Sequence, residues 1–224
     1  MDLTNAVAVV TGANRGLGRI LAAQLLERGA AKVYAAARRP ESVDLPGAQP
    51  LYLDVTKPES IRQAAAIAQD ATLLINNAGI STHTNVTDGD LDTIRLEMET
   101  HFFGPLGTIR AFAPVLAANG GGGILNVLSV LSWVHPLNYG AYASAKAAEW
   151  ALTNAARAEL ADKNIQVTAL HVGYMDTEMA DYVAPENKTD PAVVAKIALD
   201  GLAAGLPEVL ADEFTRAVKA GLAG

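Results

Sequence analysis

The run Ala6-Val7-Ala8-Val9-Val10 is apolar without interruption and ends in Thr11-Gly12. A strand with water on one face alternates polar and apolar side chains, whereas a strand buried on both faces does not. The run therefore demands a sheet covered on both sides. A helix follows at Arg19–Arg28, where Ile20, Leu21, Leu25 and Leu26 recur at helical spacing and Gly29 gives the stop. The alternation continues down the chain. Further strands are predicted at Lys32–Ala37, Gln49–Leu53, Thr72–Ile75, Gly123–Leu128, Ile165–Leu170 and a short one at Glu208–Leu210. Helices are predicted to open at Pro58-Glu59-Ser60 and to cover Tyr139–Leu160 and Pro191–Ala204. Leu91–Leu116 also has helical spacing, but Gly104, Pro105, Gly107 and Pro114 interrupt it. A proline inside a helix costs about 3 kcal/mol, so a bent or divided helix is expected there. Buried strands alternating with helices through right-handed crossovers give an α/β, doubly wound parallel sheet with helices on both faces. The 224 residues fit a single domain of that kind, taken as residues 1–224.

Composition narrows the function. Half the residues are hydrophobic, which excludes a disordered chain. Seventeen basic against 24 acidic residues leave a net charge of −7, the wrong sign for a general nucleic-acid binder. The absence of cysteine removes disulfides, thiolate metal sites and thiol nucleophiles. His83, His135 and His171 share no metal-ligand spacing, so no metal is expected. The Met1-Asp2-Leu3-Thr4-Asn5 start carries no basic region and no stretch reaches about 20 apolar residues. No signal peptide or membrane span is expected, and a cytoplasmic location is.

The first strand is followed by Thr11-Gly12-Ala13-Asn14-Arg15-Gly16-Leu17-Gly18. Glycines in a strand-to-helix turn let the backbone approach a pyrophosphate, and the helix presents free N–H groups to the anion. Four more landmarks follow in order: Asp54-Val55 after the third strand, Asn76-Asn77-Ala78-Gly79 after the fourth, Ser129 after the fifth, and Tyr142-x3-Lys146 in a long helix. With them the sequence resembles the short-chain dehydrogenase/reductase family over nearly its whole length. The resemblance implies a Rossmann-type fold with a nicotinamide dinucleotide bound along the first turn by Gly12, Asn14, Arg15, Gly16, Leu17 and Gly18. It implies that Asp54 and Val55 flank the adenine and that Asn77, Ala78 and Gly79 line the nicotinamide-side ribose. Relatives usually carry Pro-Gly after the sixth strand and a Thr four residues past the Gly. Here Val172-Gly173-Tyr174-Met175-Asp176-Thr177 keeps Gly173 and Thr177 without the proline, and Thr177 would bind the carboxamide with Met175 and Met179 beside it.

NAD-using relatives place an Asp at the end of the second strand. That position is Ala37, followed by Arg38 and Arg39. A ribose phosphate needs cationic donors and no nearby carboxylate, and Arg15 adds a third cation, so NADP(H) is the expected cofactor. Tyr142 and Lys146 share a helix face. A free phenol ionises near pH ~10, and an ammonium one turn away with an oxidised nicotinamide ring favours the phenolate. By resemblance, Tyr142 is the acid/base, Ser129 polarises the substrate oxygen, and Lys146 also holds the ribose. Ser129 precedes Tyr142 by thirteen residues, the family's separation; Ser132 is the less well spaced alternative. His101 stands where relatives carry Asn, and is expected to satisfy a local hydrogen bond at the helix bend.

The expected activity is reduction of a ketone or aldehyde to an alcohol, or the reverse. The other class considered is a cofactor-binding sensor or scaffold of the same fold with little turnover. Ile80–Val86, Val130–Leu137 and Met179–Lys188 would form the substrate pocket, with Trp133, Val134, Leu137, Tyr174 and Met179 lining it for a small apolar carbonyl or alcohol substrate. Asp176–Asp190 is expected to be a mobile lid. A homodimer or homotetramer is expected through the helices of His101 and Tyr142, with Ala141, Ala143, Ala145, Ala147 and Ala148 allowing close approach.

Overall fold

The computed structural model describes residues 1–222. Seven strands form one parallel sheet: β1 (Val7–Thr11), β2 (Lys32–Ala37), β3 (Gln49–Tyr52), β4 (Leu73–Asn76), β5 (Gly122–Val127), β6 (Ile165–His171) and β7 (Glu208–Leu210). Their order is β3-β2-β1-β4-β5-β6-β7, the doubly wound Rossmann-type arrangement. Seven helices cover it: α1 (Gly16–Glu27), α2 (Pro58–Ile67), α3 (Leu91–Met98), α4 (Gly104–Ala118), α5 (Gly140–Glu159), α6 (Pro191–Ala203) and α7 (Glu213–Gly221).

The apolar strands do what their patterning requires. Along β1, Ala8 and Val10 enter the core beneath α1 and α6, while Val9 enters the core beneath α2, α4 and α5. Along β4, Leu73 and Ile75 take the first face and Leu74 the second. Every one of these side chains is fully buried. β3 is the exception: Gln49, Pro50 and Tyr52 are exposed, as suits an edge strand where a proline has no ladder bond to lose.

Three boundaries differ from the sequence-based expectation. First, α1 starts at Gly16, so Gly16, Leu17 and Gly18 are its first turn. Second, the interrupted stretch divides at a π turn, Glu99–Phe103, between α3 and α4. Pro105 sits in the first turn of α4, where its missing N–H is harmless. The bend thus falls on His101. Third, α7 follows the last strand and was not foreseen. Asp212 caps it by accepting the Thr215 N–H, and its other oxygen accepts the Gly173 N–H at 2.7 Å. This bond ties the end of the chain to the end of β6. No helix among the described residues is long and apolar enough to cross a membrane.

One reversal of direction positions the site. From β1 the chain builds outward through β2 and β3, then crosses back to β4 and builds the other way. The loops after β1 and β4 therefore diverge, opening a crevice at the carboxyl ends of the strands.

Candidate active site

All the landmark residues lie at that carboxyl edge. Thr11 joins the loops after β1 and β4: its hydroxyl donates to the Ile75 carbonyl and accepts the N–H groups of Asn77 and Ala78. The Asn77 amide donates back to the Thr11 carbonyl at 2.9 Å. Asn77 thus shapes the glycine turn. That turn is as tight as its sequence implies. Gly12 and Gly16 have φ of +67° and +53°, and a Cβ on Gly18 would collide with the Gly12 carbonyl and the Asn77 amide. Leu17 is buried in the core, so only its backbone can face the crevice.

The start of α1 suits an anion. Its N-cap, Arg15, makes no side-chain cap, and the first turn holds no acidic residue. In contrast, α3, α6 and α7 are each capped by an aspartate: Asp90, Asp190 and Asp212. Only α1 of these four leaves its N–H groups and dipole end to a phosphate. Arg38 and Arg39 are exposed just past β2, and no ion pair engages either among the described residues. Arg15 is ion-paired with Glu178. Asp54 accepts the Thr56 N–H and hydroxyl, shaping the turn before α2, and Val55 packs against Gly104.

The chemistry-bearing residues lie on β5 and α5. The Ser129 hydroxyl, at the end of β5, accepts the Leu131 N–H, and it stands near enough to the Tyr142 phenol to favour loss of its proton. Ser132 is buried and its hydroxyl has no hydrogen-bond partner, so Ser129 is the serine brought to Tyr142. Lys146 Nζ lies 5.9 Å from the Tyr142 ring centre. It donates to the Val127 carbonyl and to Glu149, both at 2.7 Å. Burial pushes the Tyr142 phenol above its ordinary range, and Glu149 and Glu97 add to that; Lys146 and Ser129 pull it down but do not win. The expected phenolate is thus not favoured by the protein alone, because desolvation exceeds the pull of the ammonium. Lys146 is depressed by burial but raised overall by Glu149 and Tyr142, so it is an ammonium at neutral pH.

His101 packs edge-to-face on Tyr142, ring centres 5.1 Å apart. Its Nε2 lies 2.9 Å from the Ile80 carbonyl and 3.3 Å from Glu97. Burial, helped by Lys146, lowers it to about 4, so the ring is neutral at pH 7. Glu97 is fully buried and accepts two bonds from Thr82; burial opposes its charge, but the nearby His101 ring and the Thr82 bonds hold its carboxyl below the ordinary range.

Gly173, Met175, Thr177 and Met179 begin the segment after β6. Thr177 lies over the glycine turn, with its methyl 3.7 Å from where a Gly16 Cβ would stand. Met175 is half-buried on the core and Met179 exposed. The base of the segment is closed by Met175–Thr189 pairing and a 2.7 Å ion pair between Lys188 and Asp176. Tyr139 and Tyr182 hydroxyls meet at 2.9 Å, and His83 packs edge-on against both rings.

Two lining expectations need correction. Trp133 stacks on His171 at 3.9 Å and lies under Lys219 of α7, and Leu137 is 87% exposed. Neither encloses a pocket, because the unforeseen α7 claims the indole and the loop tip reaches solvent. The alanine argument also changes: Ala141, Ala143 and Ala145 are buried within the chain's own core.

The sequence profile described as short chain dehydrogenase matches residues 6–188. The chain belongs to the short-chain dehydrogenase family. Among curated members, it is 30% identical over 213 residues to an uncharacterized oxidoreductase of Staphylococcus aureus strain MW2, covering 89% of this chain and 92% of that one. It is 32% identical over 195 residues to the mouse dehydrogenase/reductase SDR family member 7B, covering 80% of this chain but 60% of the mouse protein. A solved short chain dehydrogenase of Burkholderia cenocepacia, in complex with NADP, is 40% identical, with a TM-score of 0.96 over all of this chain and 95% of that one. As a member of this dehydrogenase family, the protein is an oxidoreductase.

Proposed function

We propose that this protein is an NADP(H)-dependent reductase that interconverts a ketone or aldehyde with its alcohol, using Tyr142 as acid and base. The observation that carries the reading is the placing of Lys146, held as an ammonium on the same helix face with its Nζ 5.9 Å from the Tyr142 ring centre, beside a phenol kept protonated by burial and near Ser129. Bound NADPH supplies the hydride. Ser129 orients the substrate oxygen, and Tyr142 gives its proton to that oxygen as negative charge develops there. Lys146 stabilises the phenolate that remains. The aromatic group Tyr139, Tyr182 and His83 beside the helix start favours an apolar carbonyl compound.

The preference for NADP(H) rests on Ala37 standing where a ribose-binding carboxylate would be, on the free cations Arg38 and Arg39, and on the NADP in the 40% identical relative. A hydrogen bond to a charged group is worth about 1.5–3 kcal/mol. Arg38→Ala is therefore expected to weaken NADPH about 10- to 100-fold and leave NADH unchanged, read by fluorescence titration of both. Equal affinity for the two cofactors, unaltered in the variant, would remove the preference. Activity is tested by NADPH oxidation with acetophenone, benzaldehyde and cyclohexanone. NADPH binding without turnover of any carbonyl compound would favour a sensor instead. A homodimer or homotetramer remains part of the proposal.

A further inference from the structure

Tyr142, Lys146, Glu149 and Thr153 follow one another along a single face of α5. Glu149 is 1% exposed, a place where a carboxylate is kept only with a partner for its charge. Its carboxylate lies 2.7 Å from Lys146 Nζ, and Lys146 is the one side chain it is hydrogen-bonded to among the described residues. An ammonium has three donors. Glu149 and the Val127 carbonyl occupy two of them, which leaves one for the side of Tyr142. We propose that Glu149 is a positioning residue: it is the fixed counter-ion of Lys146, and its charge sets the pH at which Tyr142 exchanges its proton. The proposal rests on the reading of Tyr142 as acid and base.

The charged groups around this pair come from four elements. Glu97 of α3 is ionised. His101 of the π turn and His171 of β6 are both lowered by burial to about 4, so neither carries charge in the working range. Lys146 is the cation. Glu149 is raised by burial to about 7, with Lys146 opposing the rise. Once ionised, Glu149 partly cancels the ammonium and holds the phenol's proton more tightly. Removing that anion makes the first proton leave more easily, whether Tyr142 or Lys146 gives it up.

The test is the pH profile of kcat/KM for NADP-dependent oxidation of phenylethanol by the full chain. Glu149→Gln and Glu149→Met are expected to move the midpoint of the acid limb down by about one pH unit. Glu149→Asp, which keeps an anion, is expected to move it much less than either. Folding of each variant is followed by circular dichroism across the same pH range, and the midpoint is compared only where the folded fraction is constant, so destabilisation does not mask the result. Unmoved midpoints for Gln and Met, with only the plateau lowered, would make Glu149 a packing residue and overturn the inference. Tyr142→Phe separates the two levels. If it is inactive while the midpoints stay fixed, only the inference falls; if it keeps the wild-type rate, the Tyr142 reading falls with it.

Discussion

Tyr142→Phe is expected to lower the turnover of ketone reduction about a hundred- to ten-thousand-fold, the range a positioned acid contributes, with NADPH affinity almost unchanged. The substitution removes one oxygen and keeps the ring. The ring's packing against His101, with centres 5.1 Å apart, and its place beside Val130 and Leu131 need no hydroxyl. The fold and the glycine turn are therefore untouched. What is lost is the proton donor. The pH dependence of the wild type adds a check. Burial holds the phenol above its ordinary range, so the acid form persists across neutral pH and reduction should fall only on the alkaline side. Single-turnover rates with saturating NADPH measure both effects. A Phe variant within about threefold of wild type would remove Tyr142 from the chemistry.

Much of this site could be read along the chain because its parts are local. The glycine turn, Asn76-Asn77-Ala78-Gly79 and Tyr142-x3-Lys146 each sit at the end of an apolar strand or along one helix, where spacing dictates position. The strands were legible for the same reason: Ala8, Val9 and Val10 are buried on both faces, and nothing in their neighbourhood competes with that pattern. What was not legible depends on partners far apart in sequence. Asp212 looks like a loop residue until Gly173, 39 positions earlier, supplies its second hydrogen bond. Trp133 reads as pocket lining until His171 stacks on it and the Lys219 ammonium sits 4.4 Å from its ring centre. The signal for α7 was nevertheless present, since Asp212 precedes a short helical pattern containing Phe214 and Val218.

The buried charges illustrate the same limit. Glu97 and His101 are four apart on a helix, so their contact was foreseeable from spacing, but their burial was not. The π turn rotates His101 inward, against Ile80 and Tyr142. A neutral imidazole there holds the loop after β4 and adds no charge near the phenol. Glu149 likewise reads as one more surface carboxylate in an Ala-rich helix, because the third position after Lys146 faces the core only once β5 is in place.

Lys146→Met is expected to be the most damaging of these changes to stability, and its damage should depend on pH. The variant leaves Glu149 buried without its ammonium. Removing one partner of a buried pair costs about 3–5 kcal/mol while the other stays charged. Protonation relieves that cost. Glu149 in the folded protein is already raised to about 7 by burial, from an ordinary 4.5. Lys146 pulls it down, so its loss raises the carboxyl further. Below the ordinary value both folded and unfolded chains hold the proton and no penalty exists. As pH rises, the unfolded chain releases its proton while the folded variant keeps it, so stability falls with pH. In the wild type this fall levels off once Glu149 ionises against Lys146; in the variant it continues. Lys146 itself titrates above its ordinary 10.5, outside this window. Wild type and variant should therefore differ little near pH ~5 and diverge towards pH ~8, as urea unfolding at several pH values would measure. A stability gap that stays constant across that range would show that Glu149 never carries charge against Lys146, and would break the electrostatic link between α5 and the phenol.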